Sequence, residues 1–111
     1  MENKKKDSKT KKPTTRYNLG NIRQLIDQGK VNIRPNALRS AFDDFGWGID
    51  DIKNAIKKLQ PKHYYKPEAH RDNTDITLNY YKARGINNED IYTHFYIDPD
   101  GILIISSFKR K

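Results

Sequence analysis

Apolar residues recur at helical spacing along the first half of the chain and at strand spacing along the second. Leu19, Ile22, Leu25 and Ile26 form one stripe, with Asn18 placed to cap its start and Gly29 where a left-handed residue closes a helix. Pro35 pre-sets helical φ for a second segment, in which Leu38, Ala41, Phe42 and Phe45 fall at i, i+3, i+4 and i+7 before Gly46 ends it. Asp50 stands ready to cap a third helix, whose Ile52, Ala55, Ile56 and Leu59 repeat the spacing until Pro61 forbids continuation. Between the first two helices, Val31-Asn32-Ile33 reads as a brief extended segment.

Amphipathic helices need an apolar surface to lie on, and the second half supplies one. β-branched and aromatic residues cluster in four segments, 63–66, 76–81, 91–97 and 102–108, all of which read as strands. Asp98-Pro99-Asp100-Gly101 between the last two is a turn, with Pro at its second position and Gly at its close. Helices followed by strands predict an α+β fold, with three N-terminal helices packed on one face of a mainly antiparallel sheet. If the last loop has an even number of residues, Ile97 lies opposite Ile102, and Ile91, Phe95, Ile97, Ile102, Ile104 and Phe108 share the core face. The other face then receives Tyr92, His94, Tyr96, Leu103, Ile105, Ser107 and Lys109.

Length and composition narrow the class. The 111 residues suit one domain, with a Lys-rich tail at 1–15 and the folded unit at 16–111. The longest aliphatic run, 102–105, is four residues, whereas a bilayer span takes about 20, so no membrane association is expected and the protein reads as cytoplasmic. No cysteine is present and the three histidines are scattered, so neither a disulfide framework nor a metal or other cofactor is expected. The formal charge is +8, and residues 1–16 hold seven basic groups against Glu2 and Asp7. That tail has nothing to bury, so disorder is its default state, and it serves either as a solubilising arm or as a phosphate-contacting one.

The open sheet face is where chemistry concentrates. A single RNA strand stacks its bases on aromatic side chains and lays its phosphates against Lys and Arg, so Tyr92, His94 and Lys109 on one uncovered face suit RNA. They also suit metal-free cleavage, in which the 2'-OH attacks the adjacent phosphorus and needs a proton acceptor, a donor for the 5'-oxygen and cations around the developing charge. Free Tyr and Lys titrate near 10, whereas His94, near 6.5, is naturally poised for proton transfer. Such residues are also ordinary sheet decoration: Tyr80 and Tyr81 serve packing as readily as contact, His63 and His70 read as surface histidines, and Asp43-Asp44 and Asp50-Asp51 as helix capping.

From about Thr15 to Lys111 the chain resembles the MqsR family of bacterial toxins, the messenger-RNA interferases of the motility quorum-sensing regulator type. The resemblance rests on the Thr-Arg-Tyr start before the first helix, Arg39-Ser40-Ala41, the Tyr64-Tyr65-Lys66 strand, Ile91-Tyr92-Thr93-His94-Phe95 and the closing Ser107-Phe108-Lys109-Arg110-Lys111. It implies a RelE-like fold and metal-independent endoribonuclease activity on single-stranded mRNA. It further implies a cognate antitoxin of the helix-turn-helix DNA-binding type, which covers or blocks the active surface and represses a shared operon. Residue by residue it carries the family's catalytic lysine onto Lys66, its strand tyrosine onto Tyr92 and its near-terminal lysine onto Lys109. The family's glutamine position is Leu78 here, and His94 stands where the family usually has another residue.

The sequence reading is therefore a toxin ribonuclease of a type II toxin–antitoxin pair. Lys66 and Lys109 hold and neutralise the scissile phosphate, Tyr92 with His94 moves protons or orients the ribose, and Tyr65, Tyr81, Lys82, Arg110 and Lys111 bind RNA. The alternative, favoured by Leu78, is a noncatalytic RNA-binding module or degenerate toxin.

Overall fold

The computed structural model describes residues 16–111; the Lys-rich segment 1–15 and its predicted disorder lie outside the described residues. The elements run α1 (Leu19–Asp27), β1 (Val31–Ile33), α2 (Pro35–Phe45), α3 (Ile49–Lys57), a 3-10 turn (Pro61–His63), then β2 (Tyr64–Ala69), β3 (Thr77–Ile86), β4 (Glu89–Ile97) and β5 (Leu103–Arg110). The strands form one sheet in the order β1-β5-β4-β3-β2. β2 through β5 are antiparallel neighbours, and β1 joins the outer edge of β5 in parallel. The class is α+β with a mostly antiparallel sheet, as the pattern predicts.

Helices of nine to eleven residues are marginal in water, so these three depend on burying their stripes. Ile22 and Ile26 of α1, Ala37 and Ala41 of α2, and Ile52, Ala55 and Ile56 of α3 join Tyr81, Ile91, Phe95, Leu103, Ile105 and Phe108 of the sheet in one hydrophobic cluster. The capping of α1 is as read, with Asn18 Oδ1 accepting the Asn21 N–H at 3.2 Å. That of α3 is not: the N-cap is Gly48, whose N–H donates to Asp51 Oδ2 at 3.0 Å, and Asp50 sits in the first turn, where its charge complements the helix dipole. In α2 the stripe is also rotated. The small Ala37 and Ala41 face the core, and Phe42, predicted inside, is 67% exposed.

The last hairpin corrects the predicted register. Asp98 Oδ1 accepts the N–H groups of Asp100 and Ile102, and Gly101 takes a left-handed φ of 81°, so the loop spans five residues and Ile97 pairs with Leu103. The odd count turns Leu103 and Ile105 into the core and Ile104 out of it, the reverse of the expectation. A bulge then reverses the parity once more: Phe95 pairs with Ile105 but His94 with Ser107, leaving Ser106 as the extra residue. Beyond it Thr93 pairs with Phe108 and Tyr92 with Lys109. Phe108 thus enters the core while Lys109 faces out with Tyr92.

Candidate functional site

The uncovered sheet face is built by alternation along β3 and β4. In β3, Thr77, Asn79, Tyr81 and Ala83 are buried, while Tyr80 and Lys82 lie on the other side; in β4, Ile91, Thr93 and Phe95 are buried, and Tyr92, His94 and Tyr96 oppose them. A second bulge shapes β2. Tyr64 pairs with Tyr81 and Lys66 with Tyr80, so Tyr65 is the extra residue, and Tyr65 and Lys66 both reach the open face.

Tyr80 is the hub of that face. The Lys66 ammonium lies 4.9 Å from its ring centre, the His94 ring 4.4 Å away at a tilt of 35°, and the Tyr92 ring 6.0 Å away. The Lys109 ammonium sits 5.4 Å from the Tyr92 ring centre. Lys66, Tyr92, His94 and Lys109, drawn from β2, β4 and β5, therefore line one continuous surface. Lys82 packs 3.8 Å over the Tyr65 ring, extending the cationic and aromatic surface along β3.

Protonation on this face is set mainly by burial. Burial lowers His94 to about 4, with Lys109 and Lys66 adding to the effect and Glu68 opposing it, so the imidazole is neutral at pH 7. The bulge biases its tautomer through Ser106. Ser106 Oγ donates to the His94 carbonyl at 3.1 Å and lies 2.7 Å from His94 Nδ1. With the hydroxyl proton engaged by the carbonyl, Nδ1–H donates to Oγ, which leaves Nε2 carrying the free lone pair. Burial pushes the Tyr92 hydroxyl above its usual value, reinforced by Tyr65 and Glu68, and it raises Tyr80 further with help from Glu68. Both phenols hold their protons at neutral pH. The face thus combines a neutral nitrogen acceptor, phenolic donors and two ammonium groups.

Two residues predicted to touch RNA lie elsewhere. Tyr81 is 1% exposed in the core, stacked on Phe95 at 5.3 Å, because it neighbours the outward Tyr80 and Lys82 and a regular strand turns alternate residues to opposite sides. Arg110, next to the outward Lys109, turns toward the helix side. Its N–H donates to Asp44 Oδ2 at 2.9 Å, its Nη1 to Glu89 Oε1 at 3.0 Å and its Nη2 to the Asp44 carbonyl, and its guanidinium lies over the Phe45 ring. Lys111 is exposed just past the end of β5, its N–H donating to the Asp90 carbonyl.

Two residues of the face had no assigned role in the sequence: Tyr80, read there as sheet packing, and Ser106, not singled out at all. Lys82 carried the signal for Tyr80, since the two share strand parity. Nothing in the sequence marks Ser106, whose role depends on the bulge. Leu78 pairs with Glu68 and is 9% exposed on this same face. Among the described residues, no group of three or more His, Asp or Glu side chains is arranged to hold a metal ion.

No curated protein is similar enough to the chain to count as a match. Residues 14–110 match the family model for the motility quorum-sensing regulator, toxin of MqsA. The match covers nearly all of the chain and takes in every strand of the sheet just described, so this protein belongs to the MqsR toxin family, a membership that makes it a toxin of a toxin–antitoxin system with an antitoxin as its partner.

Proposed function

We propose that this toxin is a metal-independent endoribonuclease of RelE-like type that cleaves single-stranded mRNA in the cytoplasm on the open sheet face. The observation that carries the reading is the convergence of Lys66, Tyr92 and His94 on Tyr80, with Lys109 against Tyr92 and with acceptor and donor groups in complementary protonation states. Bases stack on Tyr65 and Tyr92 while Lys66, Lys82 and Lys109 meet phosphates. The 2'-oxygen attacks the adjacent phosphorus and its proton passes to His94 Nε2. The bond to the 5'-oxygen breaks, and that oxygen takes a proton from the Tyr92 hydroxyl, leaving a 2',3'-cyclic phosphate and a 5'-hydroxyl end. Lys66 and Lys109 carry the charge that builds on the non-bridging oxygens. A base with its value near 4 is weak. A phosphate seated between Lys66 and Lys109 offsets the two cations that help to depress His94, and so strengthens the base when substrate is bound.

Leu78 favours a second reading, an RNA-binding module that no longer cuts, because an apolar side chain stands where the family has a glutamine. Labelled single-stranded RNA incubated with the protein in EDTA separates the two. Cyclic-phosphate products support the nuclease, and retention without cleavage supports the binding module. The antitoxin, in this reading of helix-turn-helix type, blocks the same face, so adding it abolishes either activity.

A further inference from the structure

Next to Tyr80, on which Lys66 stands, the open face dips into a cleft of about 470 Å³. Tyr80 and His94 form one wall, Leu78 contributes an apolar patch, and the end of β2 with the loop after it supplies Glu68, His70, Arg71 and Asp72. We propose that this cleft is a nucleobase subsite: it seats the base adjoining the scissile phosphate and favours bases that carry an exocyclic amino group. The placement next to a scissile phosphate rests on the nuclease reading above; the binding itself does not.

Three features point to a base rather than to another small molecule. The volume lies within the range of about 300–1,000 Å³ usual for small-molecule sites. The Tyr80–His94 pair, with ring centres 4.4 Å apart, is an aromatic platform already part of the phosphate-side cluster, and Leu78 adds apolar lining. One nucleotide can therefore place its phosphate against Lys66, which stands on Tyr80, and its base in the cleft. A glutamine at position 78 would put a polar amide there instead.

The rim determines which bases fit. Ionised Glu68 and Asp72 are acceptors only, whereas Arg71 is a donor only. His70 adds a second donor: its Nδ1 accepts the Asp72 N–H at 3.1 Å, so neutral His70 keeps its proton on Nε2. The ring is steadied edge-on against Tyr96 at 5.0 Å, and the His70 N–H is anchored to the Ile76 carbonyl. Adenine, cytosine and guanine each present an amino donor beside a ring or carbonyl acceptor, which such a rim satisfies. Uracil presents one N–H between two carbonyl oxygens, so a carboxylate that accepts that N–H meets a repelling oxygen on either side of it.

The test is an NMR titration of the whole protein with 3'-AMP, 3'-CMP, 3'-GMP, 3'-UMP and inorganic phosphate. Phosphate is expected to move signals around Lys66 and Lys109 only. The amino-bearing nucleotides are expected to move the Leu78 methyls and His70 as well, and to bind about tenfold more tightly than 3'-UMP, a ratio within reach of one well-made polar pair. Asp72→Asn, an exposed change that leaves the Asp72 N–H in place, should bring that ratio toward parity without altering phosphate binding. Nucleotides that shift the same signals as phosphate and leave Leu78 unmoved overturn the subsite, and an unchanged ratio in Asp72→Asn overturns the amino preference. Cleft binding by a protein that leaves RNA intact removes the nuclease reading and keeps the subsite. Cleavage with the cleft signals unmoved does the reverse.

Discussion

Alternate residues of the same strands meet two different worlds. On the helix side, Ile91, Phe95, Leu103, Ile105 and Phe108 are sealed at 0–1% exposure and nothing but packing fixes them. On the other side, one residue away along each strand, Tyr80, Tyr92, His94 and Lys109 are held by ring faces, cations and a serine hydroxyl. The first arrangement stores stability. The second is polar, semi-exposed and anchored from beneath, which frees its residues to be chosen for chemistry. Mutations on the two faces should therefore separate cleanly, the first changing folding and the second changing activity.

The largest effect belongs to the core. Phe108→Ala removes a fully buried ring that packs against Phe45 and Trp47, with centres 6.1 and 6.0 Å away. Truncations of this kind cost about 3–5 kcal/mol, a large part of a small domain's stability, and denaturant unfolding should show the midpoint falling accordingly. Next come the open-face lysines. Lys66→Ala and Lys109→Ala should each lower the rate of RNA cleavage by about 10²–10³, the usual consequence of removing one group that stabilises transition-state charge, while stability stays within about 0.5 kcal/mol. A lysine variant that unfolds, or a Phe108 variant that folds normally and loses only activity, breaks the division between the faces.

The same division explains what the sequence disclosed. Helical stripes and the outward Tyr92 and His94 were legible because period and parity are local properties, whereas Lys109 joins them only because two departures from the expected register cancel. Asn87 and Asn88, both at positive φ, close the β3–β4 hairpin, and their tolerance of that conformation made the turn readable in principle. The β4–β5 register was not legible. It depends on two insertions that cancel, left-handed Gly101 in the loop and Ser106 in the strand, and either one alone would have buried Lys109 and exposed Phe108. Assigning both Tyr81 and Lys82, or both Lys109 and Arg110, to one RNA surface conflicts with strand alternation, and the structure turns one of each pair inward or toward the helices. Leu78 and the cleft beside it bring together residues from three strands and a loop, which no local pattern links.

Acidification probes the boundary between the faces at His94. Its folded value, about 4, lies below the unfolded value of 6.5, so the unfolded chain binds the extra proton in that interval. This contribution to stability is complete above pH 6.5 and is lost as pH falls toward 4. At about 1.4 kcal/mol per tenfold change in proton affinity, the total is bounded at about 3 kcal/mol. His94→Gln should flatten the stability–pH curve over that window. In cleavage assays, the acid limb of kcat/KM, which reports the free enzyme, should fall near 4, and that of kcat, which reports the complex, should lie higher because bound phosphate offsets Lys66 and Lys109. Coincident limbs near 6.5 would remove His94 from the proton-transfer role.

The smallest and most diagnostic change is Ser106→Ala. It leaves the bulge backbone, the lysines and Tyr80 in place and deletes a single hydroxyl, so stability should fall by about 1 kcal/mol, the net worth of an ordinary hydrogen bond. The tautomer is what it should disturb. A hydroxyl proton given to the His94 carbonyl makes Oγ an acceptor for Nδ1–H and so favours the form in which Nε2 is free to accept. Without it the two forms become closer in energy, and a fraction of molecules carries the proton on the nitrogen required as acceptor. Nitrogen-15 spectra of the His94 ring should show that redistribution directly, cleavage should fall several-fold with KM little changed, and Ser106→Thr should restore both if its hydroxyl reaches the same position. A ring spectrum identical in the native protein and Ser106→Ala would mean that this serine only shapes the strand, and would leave the open face without the device that aims its base.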